Sequence, residues 1–211
     1  MALVRSTFIL SIGSQAPGFV LPEPKTGKLV SLAEVKGVNG TLVVFTCNHC
    51  PYVVHLAKEL GLFGAEVAAL GVNTVAISSN EVVNYPQDDP EKMVEFSDES
   101  GWDFPYLYDE SQEVAQAYSA ACTPDFFLFD ASGKLYYAGQ FDDSRPGDEL
   151  PVDAESIRSA VQQMLIGEPF LTQVKPATGC NIKWRLGNEP KYFGWIIYTS
   201  VFLVVMMILA P

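Results

Sequence analysis

The sequence predicts an α/β domain with a mixed sheet flanked by helices, and three observations predict it. Short β-rich apolar runs alternate with stretches of helical periodicity through the first half of the chain. Two strand-like runs then flank a tight turn, and an amphipathic stretch follows them. Gly40, Pro51, Pro90 and Gly167 fall at the joints of these segments.

The first strand is 41–45, Thr-Leu-Val-Val-Phe, apolar and preceded by Gly40. After Pro51, apolar residues recur at Val53, Leu56, Leu60, Phe63, Val67 and Leu70, three or four apart, which is one face of a helix. Pro51 suits the first turn, where no N–H is needed. Residues 74–78 read as a second buried strand, and a loop over 79–89 leads to a helix from Pro90 to about Glu99. Residues 105–108 read as a short strand, and Ser111 as the N-cap of a helix through Tyr118. Strands at 125–129 and 135–138 flank Asp130-Ala131-Ser132-Gly133. Asp153 is the expected cap of a helix through Ile166, with Ile157, Val161, Met164 and Leu165 inward.

Among 211 residues there are 13 basic and 25 acidic side chains, a formal net charge of −12. Such a surface argues against nucleic acid or anionic lipid as a broad partner. A body of about 180 residues buries enough core to stand without covalent staples. The four cysteines are therefore not a structural framework: two form Cys47-Asn48-His49-Cys50, and Cys122 and Cys180 stand apart.

The chain divides into an arm at 1–16, a domain at 17–168, an extended segment at 169–192 and a terminal run at 193–210. Arg5 precedes Phe8-Ile9-Leu10, but Ser6, Ser11 and Ser14 cut that run too short for a secretory signal, so the globular part is expected in the cytoplasm. The terminal run, FGWIIYTSVFLVVMMILA, holds no charge. Its length corresponds to roughly 27 Å of helix, close to a bilayer hydrocarbon core. Trp195 and Tyr198 lie near its start, and Lys183, Arg185 and Lys191 precede it. The expectation is one C-terminal transmembrane helix that anchors a cytoplasmic domain.

A strand that runs through Cys-x-x-Cys into a helix is the strongest chemical signal in the chain. Cys47 is expected at the helix N-terminus, where orphan N–H groups favour a thiolate and hold the pKa below the free value of about 8.5. Cys50, one turn on, is the expected deeper, resolving thiol. His49 either stabilises the Cys47 thiolate or is an exposed turn histidine. No metal is expected: structural zinc needs four ligands, and no second CxxC or His pair exists, with His55 on the wrong helix phase. Thr123-Pro124 precedes an apolar strand, as suits a cis bond at a strand entry. Cys122 and Cys180 are either additional redox thiols, with Cys180 meeting the active pair or Cys122, or buried inert ones.

Five segments, FTCNHCPYV, SSNEVVNYPQDDPEKM, AACTPDFFLFD, QFDDSRPG and GCNIKW, carry a resemblance. Together they resemble the thioredoxin-like branch of the alkyl hydroperoxide reductase/thiol-specific antioxidant (redoxin) superfamily, from about residue 17 to residue 184. The resemblance implies a thioredoxin-like fold and a catalytic set of Cys47, Cys50 and His49, the histidine preceding the second cysteine as in oxidants and isomerases of that fold. It also implies Thr123 and Pro124 as a substrate-binding cis-proline element. Peroxiredoxins carry P-x-x-x-T-x-x-C, and this chain departs from it. Aligned on Cys50, the Thr and Pro places hold Cys47 and Val43; aligned on Cys47, they hold Val44 and Gly40. Arg145, beside Asp142 and Asp143, reads either as a peroxide-pocket cation or, the favoured reading, as a surface ion-pair residue.

The leading expectation is a membrane-anchored thiol–disulfide oxidoreductase that needs no organic cofactor and meets a thiol or disulfide protein as partner. Two alternatives stand beside it. One is a thiol peroxidase; the other is a non-catalytic accessory subunit of an integral membrane complex, docked through its tail.

Overall fold

The structure, a computed structural model, describes residues 3–169 and 174–194. Its first half contains β1 (Leu3–Arg5), β2 (Val20–Glu23), β3 (Lys28–Ser31), α1 (Leu32–Val35), β4 (Gly40–Thr46), α2 (Pro51–Ala69) and β5 (Val72–Ser78). Then come α3 (Pro90–Glu99), β6 (Tyr106–Tyr108), α4 (Glu113–Tyr118), β7 (Cys122–Thr123), β8 (Asp125–Asp130), β9 (Leu135–Gly139), α5 (Glu155–Leu165) and β10 (Thr178–Asn181).

β4 is the central strand of a five-stranded sheet ordered β6-β5-β4-β8-β9. It pairs in parallel with β5 and antiparallel with β8, so the sheet is mixed, as the alternation of segments predicts. Every residue of β4 is buried, because both faces are covered. The pleat sends Leu42 and Val44 into one core, with Leu56, Leu60 and Phe63 of α2 and Ile157 and Val161 of α5. Val43 and Phe45 enter the other, with Phe127 and Phe129 of β8 and Tyr118 of α4. One continuous apolar run thus serves two cores and holds the strand end, where the cysteine motif begins, in a fixed place.

Two caps differ from expectation. Gln112, at φ 66°, precedes α4, and Ala154, at φ 56°, precedes α5. Ser111 and Asp153 sit one residue further out, and each still accepts the N–H of the residue two positions on. The β2–β3 hairpin and the small sheet β1-β10-β7 have no counterpart in the sequence reading. In that small sheet β10 lies between its neighbours, with Cys180 opposite Leu3 on one side and Thr123 on the other.

Among the described residues no helix is long and apolar enough to cross a membrane. The transmembrane helix expected at 193–210 lies outside the described residues from 195 onward. Two of the basic residues expected to flank it have other work. Lys183 is buried and its ammonium donates to the Asn181 carbonyl at 2.6 Å, and Arg185 pairs with Glu110 at 3.1 Å.

Candidate active site

β4 ends at Thr46 and α2 begins at Pro51, which leaves Cys47 to Cys50 as the turn between them. The N-cap of α2 is Cys50, so the helix end is directed at Cys50 and not at Cys47 as expected. The exposure expected to separate the two thiols is also absent: Cys47 is 1% and Cys50 0% exposed.

Thr123 touches both sulfurs. Its Oγ1 lies 3.3 Å from Cys47 Sγ, and its carbonyl accepts the Cys50 thiol at 3.1 Å. The Thr123-Pro124 bond is cis. β10 then brings Cys180 Sγ to 2.9 Å from Cys50 Sγ. Cys47, Cys50, Cys180 and Val53 form a small buried cluster edged by Tyr52 and Phe96. Cys122 packs instead in the core beneath α2, with its thiol donating to the Pro124 carbonyl at 3.4 Å. Of the two cysteines left open by the sequence, Cys180 is the one that meets the pair. Cys47, Cys50 and Cys122 are free thiols.

Burial pushes the Cys47 thiol well above its usual range, and the Asp88 carboxylate adds to the rise. Cys50 moves the other way: once it gives up the proton that the Thr123 carbonyl accepts, the Cys180 and Cys47 thiols and nearby backbone N–H groups can donate to its thiolate, which lowers its pKa. Cys180 is raised because Cys50 holds its proton. This corrects the expectation of a low Cys47 pKa. Donors and the helix terminus converge on Cys50, while Cys47 faces a carboxylate.

Asp88 organises the other side of the turn. It is fully buried; one oxygen accepts the Asn48 N–H at 2.8 Å and the other accepts Asn80 Nδ2–H at 2.7 Å. His49 Nδ1 stands 2.8 Å from that second oxygen, out of hydrogen-bond alignment. The His49 ring stacks on Tyr85 at 6.0 Å between centroids, and the Lys183 ammonium lies 5.5 Å from the Tyr85 centroid. The Tyr106 hydroxyl donates to Asn48 Oδ1 at 2.9 Å. Sequence reasoning missed Asp88 and Asn80. One signal was available: in Gln87-Asp88-Asp89-Pro90 only the second acid is needed to cap α3, which leaves the first without a local role.

The ligand atoms of Cys47, His49 and Asp88 lie within 4.8 Å of one another, a donor set that suits zinc. Each Asp88 oxygen accepts one N–H, which orients the carboxylate and leaves a lone pair on each oxygen. His55 lies apart from this group, with Nε2 3.0 Å from Ser144 Oγ. Arg145 lines a small cleft with Pro124, Tyr52 and Phe141. Its guanidinium donates to the Asp142 and Ser144 carbonyls and to Gln140, so it braces that loop instead of pairing with the neighbouring carboxylates.

The AhpC/TSA family profile matches residues 12–138. The structure is similar to the crystal structure of an uncharacterized conserved protein from Geobacillus kaustophilus, with 48% identity and a TM-score of 0.84 over 88% of this chain and 97% of that one. The thiol-disulfide oxidoreductase ResA of Bacillus subtilis (strain 168) is 29% identical over 133 residues, 60% of this chain and 65% of its own length. A thiol:disulfide interchange protein of the thioredoxin family from Chlorobium tepidum TLS is 19% identical at a TM-score of 0.56, over 74% of this chain and 98% of that one. The last likeness is one of fold, and the α/β fold with its mixed sheet is thioredoxin-like.

Proposed function

The chain belongs to the AhpC/TSA family, and on that premise we propose that it is a thiol–disulfide oxidoreductase whose working pair is Cys47 and Cys50. One observation carries the reading: a buried CxxC turn joins the central strand to a helix, and Thr123 contacts both of its sulfurs. Cys47 attacks a disulfide of a partner protein as its proton passes to the adjacent Cys50 thiolate, and one partner sulfur leaves as thiolate. That leaving thiolate takes the proton from Cys50. Cys50 then attacks Cys47, closes the disulfide and releases the second partner sulfur. The partner gains two electrons and the protein loses two. His49 and Asp88 set the field around Cys47, and the Thr123-Pro124 backbone receives the extended partner chain.

The test is a glutathione redox titration with mass-resolved alkylation of each cysteine. Cys47 and Cys50 are expected to become unreactive together as the buffer turns oxidising. If both stay alkylatable under oxidant, or a metal is found holding them, the reading fails.

A second reading, thiol peroxidase, is favoured by one observation. Although neither alignment of the peroxiredoxin motif supplies a hydroxyl, Thr123 brings one to Cys47 from β7. In a Cys50→Ser variant, hydrogen peroxide would then produce a rapid, trappable sulfenic acid at Cys47. A slow bimolecular reaction would dismiss it.

The uncharged run at 193–210 supports placing this chemistry at a membrane, which would raise the effective concentration of membrane-bound partners.

A further inference from the structure

We propose that Cys180 is a third redox thiol, which takes over the disulfide from Cys47 by attacking Cys50. The inference rests on the Cys47–Cys50 reading and extends it to a three-thiol centre.

The geometry is the main support. The Cys50 and Cys180 sulfurs are 2.9 Å apart, so a bond of about 2.05 Å needs an approach of under one ångström. Cys180 is held in place by backbone pairing on both sides, to Leu3 of β1 and to Thr123 of β7. The residue before it is a glycine packed against the Thr123 carbonyl, so β10 lies closer to the cis-proline element than a side chain would allow. Cys180 thus faces the active pair from a sheet and not from a loop end.

The exchange balances without an outside oxidant. With Cys47 and Cys50 joined, Cys180 Sγ forms a bond to Cys50 Sγ while the Cys47–Cys50 bond breaks. Cys47 leaves as thiolate and takes up the proton that Cys180 gives up. No electrons enter or leave; one disulfide has moved. The Lys183 ammonium assists by favouring a negative Cys180. The consequence is an oxidised protein whose Cys47, beside the Thr123 hydroxyl, is again a free thiol. It can open a second mixed disulfide before the first oxidation has been passed on, which a two-cysteine centre cannot do.

The experiment oxidises the full chain and two variants, Cys47→Ser and Cys180→Ser, with diamide, then alkylates remaining thiols and maps disulfide-linked peptides by mass. In the wild type both the Cys47–Cys50 and Cys50–Cys180 linkages are expected. Cys47→Ser should still give Cys50–Cys180, and Cys180→Ser should lose that linkage entirely while keeping Cys47–Cys50. Circular dichroism of each variant checks that it is folded, and titrating the wild type with limiting diamide gives the same linkage readout without any substitution. If Cys47–Cys50 forms in the wild type but Cys50–Cys180 appears in neither wild type nor Cys47→Ser, the relay is overturned and the dithiol reading stands. If Cys50–Cys180 forms in Cys47→Ser while Cys47–Cys50 never forms, the dithiol reading fails and the relay fails with it, since there is no disulfide to take over.

Discussion

Gly179 packs so closely on Thr123 that a Cβ built at position 179 would collide with the Thr123 carbonyl oxygen. That carbonyl accepts the Cys50 thiol, and the residue after the glycine supplies the third sulfur of the cluster. A single missing side chain therefore sets the spacing between β10 and the active turn. Gly179→Ala should push β10 outward and cost about 1–3 kcal/mol, the usual range for overpacking a close contact. Urea unfolding reads the cost, and diamide cross-linking should show Cys50–Cys180 reduced more than Cys47–Cys50. Equal yields of both linkages in the variant would mean that this spacing does not matter.

Asp88 bears on Cys47 through its charge. Burial is the main reason that the Cys47 thiol is raised, and the Asp88 carboxylate adds to it. Asp88→Asn removes the charge while keeping one of the two accepting oxygens, so Cys47 should ionise at lower pH than in the wild type. The pH dependence of Cys47 alkylation, resolved by mass from the other cysteines, measures this. Asp88→Ala is a different experiment, because it strands the Asn48 N–H and the Asn80 amide. A cost of roughly 2–4 kcal/mol is expected from two unsatisfied buried donors. An unmoved alkylation profile in Asp88→Asn would show that the carboxylate is merely structural.

Asp125 gives a pH dependence with a definite sign. It is buried behind the cis-proline element, accepts the Ser6 hydroxyl at 2.6 Å, and burial pushes its pKa up from 3.8 to about 6. The folded state therefore holds this proton more tightly than the unfolded chain. Its contribution to stability is fully present below about pH 4 and is lost as pH rises through about 6, by at most roughly 3 kcal/mol. Asp125→Asn carries no titrating proton there. Its stability relative to the wild type should rise between about pH 4 and pH 7, whatever constant offset the amide introduces. Urea unfolding of both proteins across that range checks it, and parallel curves would refute it.

What the sequence made legible is what is local. The alternation in 41–45 and the three-and-four spacing after Pro51 are properties of neighbouring residues, and both appear as β4 and α2. The Cys47–Cys50 turn follows from them. Cys180 and Asp88 reach the same site over 130 and 40 positions of chain, through β10 pairing and a bend before α3. The four residues of β10, Thr-Gly-Cys-Asn, show no apolar alternation, and β1 is only three residues long. Neither strand is legible until its partners are in place. The thiolate position went astray for a related reason. It depends on which residue caps α2, and the boundary falls at Cys50, where the Cys180 thiol and N–H of β10 also arrive.

The run at 193–210 makes the last prediction, and the described residues before it sharpen it. The Tyr192 hydroxyl donates to the Ala120 carbonyl at 3.0 Å, two residues before β7. A span that starts at 193 would therefore leave almost no tether, and β7 with the active turn would sit near the bilayer surface. The net charge of −12 offers no attraction to an anionic leaflet, so the apolar run alone has to supply membrane affinity. The full chain should remain with membranes through alkaline carbonate extraction. A truncation after Tyr192 should appear in the soluble fraction with its Cys47–Cys50 redox behaviour unchanged. If the full chain washes off under carbonate, the run packs on protein instead, and the site is free of the membrane.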